Sequence, residues 1–360
     1  MAKFHTLTVA DITRETADAV SIAFDIPSSL KDEYKYIPGQ YVTLKINHKG
    51  EELRRSYSIC SNPYSNEPLR IAIKKVTEGR GSSFLNDSLK KGDKVEVMTP
   101  MGNFNTPISA SNSKTYILFA GGSGITPMMS IAKAVLQEEA KSNVILFYAN
   151  RDEASTIFNA ELKTIEANSN NRLKVVHIQE NPANATVADI YKGLLTDAKI
   201  KGLFEKHGGL QGDCEYFICG PTPMMQLVET TLKEGLKLAK DRVHLEYFTA
   251  ALDAAKAPKA ESTGDSIMSQ VTIIMDGEET IISLASDGEA ILDAALNADM
   301  DVPFACKGAV CCTCRAKLIE GQVKMDLNYA LSEGEVKAGY ILTCQSHPIT
   351  PTVIVDYDAA

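Results

Sequence analysis

Four cysteines are the residues of this sequence best placed for chemistry. Cys306, Cys311, Cys314 and Cys344 follow the spacing C-x4-C-x2-C-x29-C. Five of the chain's eight cysteines fall between 306 and 344, denser than thiols used as small buried hydrophobes require. A tight loop can gather three thiolates, and a distant fourth can close the site, as in a [2Fe–2S] centre. Zinc is the competing metal, but it usually takes two C-x2-C pairs, and no second pair accompanies Cys344. Cys312 lies inside the motif but off its spacing, so it is expected to point away as a non-ligand. The small residues in Lys307-Gly308-Ala309-Val310 would let backbone N–H groups approach the cluster sulfurs and tune their potential.

The elements that must position these groups change character along the chain. Over the first hundred residues, short alternating runs such as Tyr41–Ile46 and Leu69–Ile73 are separated by turn signals at Pro38-Gly39 and Lys91-Gly92-Asp93. That spacing predicts a barrel or sandwich. From about 114, strands at 116–120, 144–149, 173–178 and 215–219 alternate with helices at 127–140, 155–167 and 222–239, a pattern that predicts a parallel sheet covered on both faces. The segment 250–267 reads as a linker rich in Ala, Lys, Pro, Ser and Gly. Beyond it, strands at 271–275 and 280–284 flank the hairpin signal Asp276-Gly277. A short helix at 290–298, the cysteine loop and a last strand at 351–355 follow. The expected division is 1–110, 111–249, linker 250–267 and 268–360. No internal repeat or low-complexity segment is present.

Two loops could bind phosphate. Gly121-Gly122-Ser123-Gly124-Ile125-Thr126-Pro127 lies between a strand and a helix, where glycines admit a diphosphate and the helix N-terminus faces it. Alone, this loop is equally a tight turn with no ligand. Gly79-Arg80-Gly81-Ser82 has the same character. Arg55-Ser56-Tyr57-Ser58 supplies a guanidinium fork suited to phosphate and an aromatic wall for a flat ring. Cys219-Gly220-Pro221 follows a strand, and by itself Cys219 reads as a core thiol.

Together these motifs resemble the ferredoxin–NADP reductase superfamily: R-x-Y-S at Arg55–Ser58, G-x-x-S at Gly79–Ser82, and C-G-P at Cys219–Pro221. Pro38-Gly39-Gln40-Tyr41 precedes the first of them at the family's usual distance. The resemblance implies an antiparallel flavin barrel, a doubly wound α/β nucleotide domain and an α+β, β-grasp-like ferredoxin domain. It implies that Arg55 neutralises the flavin diphosphate, with Ser56, Gly79, Gly81 and Ser82 beside it. Tyr57 would pack on the isoalloxazine, and Ser58 would reach near its N5. Cys219 and Glu246 would lie beside the nicotinamide, and Phe248 close to the flavin. Gly121, Gly122, Gly124, Thr126, Pro127, Gly220 and Pro221 would hold NAD(P)H. Arg151, after the second strand of the parallel sheet, could bind a 2′-phosphate, which favours NADPH over NADH, or could be a surface residue. The domain order is that of oxygenase reductases. Cys306–Lys317, Met325–Leu331 and Gly339–Ser346 look most like the reductase subunits of phenylacetyl-CoA epoxidases, although Ala309 stands where glycine is expected. Arg80-Gly81 is also similar to phthalate dioxygenase reductase, which uses FMN, so FAD is favoured with FMN open. The implied activity carries electrons from NAD(P)H through flavin and a [2Fe–2S] cluster to an oxygenase.

Charge bears on the partner. The net charge is −9, and residues 268–360 hold 14 acidic against 5 basic residues, which accounts for all of it. Residues 1–267 hold 32 of each sign. A nucleic-acid partner would need a basic footprint, so none is expected. An acidic terminal domain suits docking on a basic oxygenase surface; the lesser alternative is a solvated face that only aids solubility. No apolar run approaches the ~20 residues of a membrane span, and Met1–Thr6 has no signal character, so a cytoplasmic protein without membrane contact is expected. Reductases of other aromatic, steroid or alkane oxygenases share these motifs. A non-catalytic redox sensor would not need complete flavin and nicotinamide motifs.

Overall fold

The computed structural model describes residues 3–184, 186–248 and 266–359. The expected linker lies, but for its last two residues, outside the described residues. The chain divides into two compact units, one comprising the barrel and parallel sheet, the other built on the C-terminal segment.

The barrel is formed by β1 (Phe4–Thr16), β2 (Ala19–Asp25), β3 (Tyr41–His48), β4 (Glu51–Ser58), β5 (Leu69–Lys74) and, after helix α1 (Arg80–Asp87), β6 (Lys94–Met98). Its antiparallel order is β4-β3-β6-β1-β2-β5, and a bridge between Ile59 and Ile71 joins the two ends. Inward residues alternate along the strands as a pleated, half-buried surface demands. Leu7, Val9, Ile22, Leu44, Ile71 and Val97 form the interior.

The second domain alternates β7 (Thr115–Gly121), α2 (Ile125–Glu138), β8 (Asn143–Asn150), α3 (Asn159–Asn168), β9 (Leu173–Gln179), α4 (Asp197–His207), β10 (Cys214–Cys219), α5 (Thr222–Thr230) and β11 (Val243–Glu246). The sheet order is β11-β10-β7-β8-β9, all parallel. Such sheets are buried on both faces, and Tyr116–Ala120 and Cys214–Cys219 are buried at every residue. Strand order reverses between β7 and β10. Ligands of open α/β sheets bind at that point, outside the carboxyl ends of the strands.

Two helices differ from the sequence expectation. The helix expected at 155–167 starts only at Asn159. Asp152 Oδ1 accepts the Ser155 N–H at 2.8 Å, and Phe158 adopts a left-handed φ of 60°, so the residues before Asn159 form turns. The helix expected at 222–239 ends early: α5 passes into a π-turn at Thr231–Gly235, and a separate 3₁₀ turn follows at Lys240–Arg242.

The C-terminal unit contains β12 (Met268–Met275), β13 (Glu278–Ala285), α6 (Ile291–Asn297), β14 (Arg315–Glu320), β15 (Val323–Met325), α7 (Glu333–Lys337), β16 (Tyr340–Leu342), β17 (Ser346–Pro348) and β18 (Thr352–Asp356). Its main sheet runs β13-β12-β18-β14-β16, with β12 and β18 parallel. Asp276 (φ 54°) and Gly277 (φ 75°) make the hairpin turn, which needs positive φ at both central residues. Helix α6 buries Ile291, Leu292, Ala294 and Ala295. Among the described residues, no helix is long and apolar enough to cross a membrane.

Candidate functional site

The two nucleotide loops meet where the strand order reverses. The β7 loop turns through Gly121–Gly124 into α2, and the β10 loop turns through Gly220-Pro221 into α5. They approach so closely that a Cβ on Gly124 would collide with the Cys219 carbonyl. A Cβ on Gly220 would lie 3.0 Å from the Gly121 backbone. Tyr148 Oη donates to the Gly122 carbonyl at 3.1 Å, and Thr126 Oγ1 donates to the Ser123 carbonyl at 3.1 Å.

In front of these loops opens a cavity of about 520 Å³ whose lining includes Lys74, Gly122, Arg151, Glu180, Pro221 and Met224. Gly122 has φ 53°, and a Cβ there would meet only the Lys74 Nζ, 3.5 Å away, within 4 Å. Bare backbone, a helix N-terminus and an ammonium group thus face one space, which fits a nucleotide diphosphate. Sequence reasoning missed Lys74. It ends β5, far from the loop in sequence, and only barrel-to-sheet packing brings it there. Arg151 also lines the cavity, and its Nε donates to Asp152 Oδ2 at 3.1 Å.

Three residues meet at the carboxyl ends of β10 and β11. Cys219 and Glu246 are register partners, and Ser58 Oγ, at the end of β4, donates to Glu246 Oε2 at 3.0 Å. Burial pushes the Glu246 carboxyl up to about 8, with the Ser58 hydrogen bond opposing. Burial, reinforced by Glu246, pushes the Cys219 thiol well above its ordinary range. Burial thus favours the protonated forms of Glu246 and Cys219, while Ser58 and Glu246 are joined by the hydrogen bond. Phe248, two residues past Glu246, is 40% exposed.

The flavin motif lies on β4. Arg55 is exposed and Tyr57 partly exposed, two residues apart and so on one face of the strand. Ser56 lies between them, partly exposed. Gly79 caps α1, and Ser82 Oγ accepts the Val76 N–H at 3.0 Å, so the side chain of Ser82 shapes the turn. Gly81 is buried in the first turn of α1. An exposed cation, an aromatic face and a glycine-started helix suit a flavin and its diphosphate.

The cysteines form two pairs. Cys311 Sγ lies 3.1 Å from Cys306 Sγ, and Cys314 and Cys344 share a thiol hydrogen bond. Within each pair one thiol is drawn down by its partner's hydrogen bond, Cys306 to about 6 and Cys344 likewise downward. The partners Cys311 and Cys314 are pushed up. Among the described residues no three His, Cys, Asp or Glu groups converge on a single-ion site. Two separate pairs of cysteine sulfurs suit two irons better than a lone zinc. The Gly308 N–H points at Cys306 Sγ at 3.3 Å, and the Val310 and Cys311 N–H groups also reach it. Cys312 Sγ donates instead to the Ala330 carbonyl at 3.4 Å, inside the core. Lys307 (φ 50°) and Ala309 (φ 63°) both take left-handed conformations, which explains why glycine suits position 309.

Fold and site thus define a flavin and iron–sulfur oxidoreductase that uses NAD(P)H. Models of the oxidoreductase FAD-binding domain, the oxidoreductase NAD-binding domain and the 2Fe-2S iron-sulfur cluster binding domain match residues 6–106, 118–230 and 273–348. The chain is 39% identical over 360 residues to a component of the 1,2-phenylacetyl-CoA epoxidase of Escherichia coli, covering 100% of this chain and 99% of that protein. It is 34% identical to the ferredoxin reductase component of 3-ketosteroid-9-alpha-monooxygenase from Rhodococcus rhodochrous, over 98% of this chain and 96% of that one. Among solved structures, phthalate dioxygenase reductase matches with a TM-score of 0.58 at 26% identity, over 98% of each chain. The chain belongs to the ferredoxin–NADP reductase superfamily, among the oxygenase reductases that carry a C-terminal [2Fe–2S] domain. Its cofactors are FAD, a [2Fe–2S] cluster and NAD(P)H.

Proposed function

We propose that this chain is the reductase of a phenylacetyl-CoA epoxidase, a cytoplasmic protein that draws electrons from NAD(P)H and delivers them singly to the oxygenase. The observation that carries this reading is the 39% identity spanning nearly the full length of both chains. Bound flavin would supply the conversion of a hydride into single electrons, chemistry that no side chain here can perform. The protein's part is positioning. Arg55 holds the flavin diphosphate, assisted by Ser56, Gly79, Gly81 and Ser82, and Tyr57 and Phe248 bound the ring. Gly121, Gly122, Gly124, Thr126, Pro127, Gly220 and Pro221 shape the nucleotide cradle, and Lys74 adds a counter-charge. Arg151 receives a 2′-phosphate, which favours NADPH. Cys219, Ser58 and Glu246 form an uncharged wall at the hydride-transfer position. Cys306, Cys311, Cys314 and Cys344 hold the cluster. The working division is a flavin domain at 1–110, a nucleotide domain at 111–249, a linker at 250–267 and a ferredoxin domain at 268–360.

The ferredoxin domain, with 14 acidic and 5 basic residues, docks on a basic oxygenase surface. The test is reconstitution with the oxygenase component of a phenylacetyl-CoA epoxidase. NADPH oxidation should become phenylacetyl-CoA-dependent and yield the oxygenated thioester. Coupled turnover should fall as salt rises from about 0.01 to about 1 M, where the Debye length shrinks from about 30 to about 3 Å. Ferricyanide reduction at saturating nucleotide should change much less. Turnover with a ketosteroid oxygenase but not with the epoxidase would overturn the assignment, and equal salt responses would overturn the docking.

A further inference from the structure

The fourth cluster ligand is followed by a buried amide. Gln345 closes the 3₁₀ turn Thr343–Gln345 and is 9% exposed. Its Nε2 carries two hydrogens for three acceptors, the Cys344 carbonyl at 2.9 Å, the Lys307 carbonyl at 3.2 Å and Cys344 Sγ at 3.5 Å, so the carbonyl and sulfur of Cys344 share one of them. The side chain therefore spans 38 residues of sequence and ties the first cysteine loop to the segment carrying the last ligand. Lys307, its partner in that loop, has φ 50°, a conformation a lysine keeps only where its surroundings hold it.

We propose that Gln345 is a positioning residue of the [2Fe–2S] centre that also sets its potential, through an N–H donated to the Cys344 sulfur. The other donors to the cysteine sulfurs include backbone N–H groups such as that of Gly308 and the Thr313 side chain on Cys311. Gln345 is a donor that evolution or an experimenter can change at one codon. Reduction would add one electron to the irons and so raise the negative charge on the sulfur ligands. A donor to sulfur favours the more negative state, because hydrogen bonds to charged groups are stronger than those to neutral ones. Without the donor the oxidised state gains relative to the reduced one, and the potential falls. Surrounding hydrogen bonds and burial are the levers by which a protein tunes such a centre.

The inference rests on the cluster assignment, and the experiment separates the two. Full-length Gln345→Met keeps the length of the side chain and lacks the donor. It is titrated with dithionite and mediators, following the EPR signal of the reduced cluster. At the midpoint of the unsubstituted protein, the variant's reduced-to-oxidised ratio should be about tenfold lower, equivalent to about 59 mV for one electron. An unchanged or higher potential overturns the proposal. Absence of iron from the unsubstituted protein would overturn the cluster itself, a different result. Should Gln345→Met lose its cluster, unsubstituted protein labelled with ¹⁵N in the glutamine side chains decides by pulsed EPR. A weak ¹⁵N coupling to the reduced centre supports the donor, and its absence refutes it.

Discussion

The carboxyl of Glu246 gives a pH test that needs no partner protein. Burial raises it to about 8, against an ordinary value of 4.5, and the hydrogen bond from Ser58 works in the other direction. A raised carboxyl binds a proton in the folded state that the unfolded chain has already released. Its contribution is therefore fully present below 4.5 and is lost as pH rises through about 8. At about 1.4 kcal/mol per pH unit, a shift of this size corresponds to about 5 kcal/mol as an upper bound. Glu246 is only partly buried, so solvent screening reduces the expected loss to about 2–3 kcal/mol. The perturbation is Glu246→Gln, which resembles the protonated form and does not titrate. The assay is urea unfolding of the holoenzyme, followed by release of flavin fluorescence, at half-unit steps from about pH 5 to about pH 8.5. The stability of the unsubstituted protein, relative to the variant, should decline steadily across that range. If the two pH curves run parallel, the carboxyl is ionised at neutral pH, and the uncharged wall beside Cys219 does not exist.

Other outcomes follow from the same geometry. Cys312→Ser should keep the visible cluster bands while Cys311→Ser loses them, because Cys312 Sγ turns to Ala330 and Cys311 Sγ faces Cys306. Identical behaviour of the two variants, read by absorbance and iron content, would contradict the ligand set. Lys74→Ala should raise KM for NAD(P)H about tenfold or more with little change in kcat for ferricyanide, since a hydrogen bond to a charged group is worth about 1.5–3 kcal/mol. An unchanged KM would remove Lys74 from the nucleotide site. Arg55→Ala should weaken flavin retention on dialysis by about tenfold or more for the same reason, and full flavin content afterwards would refute its role.

The cluster was legible in the sequence because three of its proposed ligands are local: Cys306, Cys311 and Cys314 share one loop, and chain spacing is all the chemistry requires of them. The strand-loop-helix order around Gly121 and Gly220 was legible for the same reason. The meeting of those two loops was not, since it depends on β7 and β10 being neighbours in the sheet. Lys74 was invisible because nothing near it in sequence speaks of phosphate. Its place is set by the end of β5 reaching the β7 loop. Helix ends were misjudged where side chains compete with the helix for backbone groups, as Asp152 and Ser155 do ahead of α3. Ala309 was recognised as a departure from glycine, but its reason needed the backbone: a φ of 63° in a fully buried residue.

The bracing of the inner cysteine pair has a consequence for how the protein is made. Tyr357 Oη donates to Thr343 Oγ1 at 2.8 Å, and Thr343 Oγ1 donates to the Cys314 carbonyl at 2.9 Å. Both hydroxyls are buried, so this chain of hydrogen bonds forms only when β18 has docked beside β12. During synthesis Cys306, Cys311 and Cys314 emerge about thirty residues before Cys344, the proposed fourth ligand, and more than forty before Tyr357. For that interval the nascent chain presents an incomplete set of thiols, able to capture a stray soft metal but not to enclose two irons. Only a chain translated past Cys344 offers all four proposed ligands, and only one translated past Tyr357 offers the hydroxyl that braces Thr343.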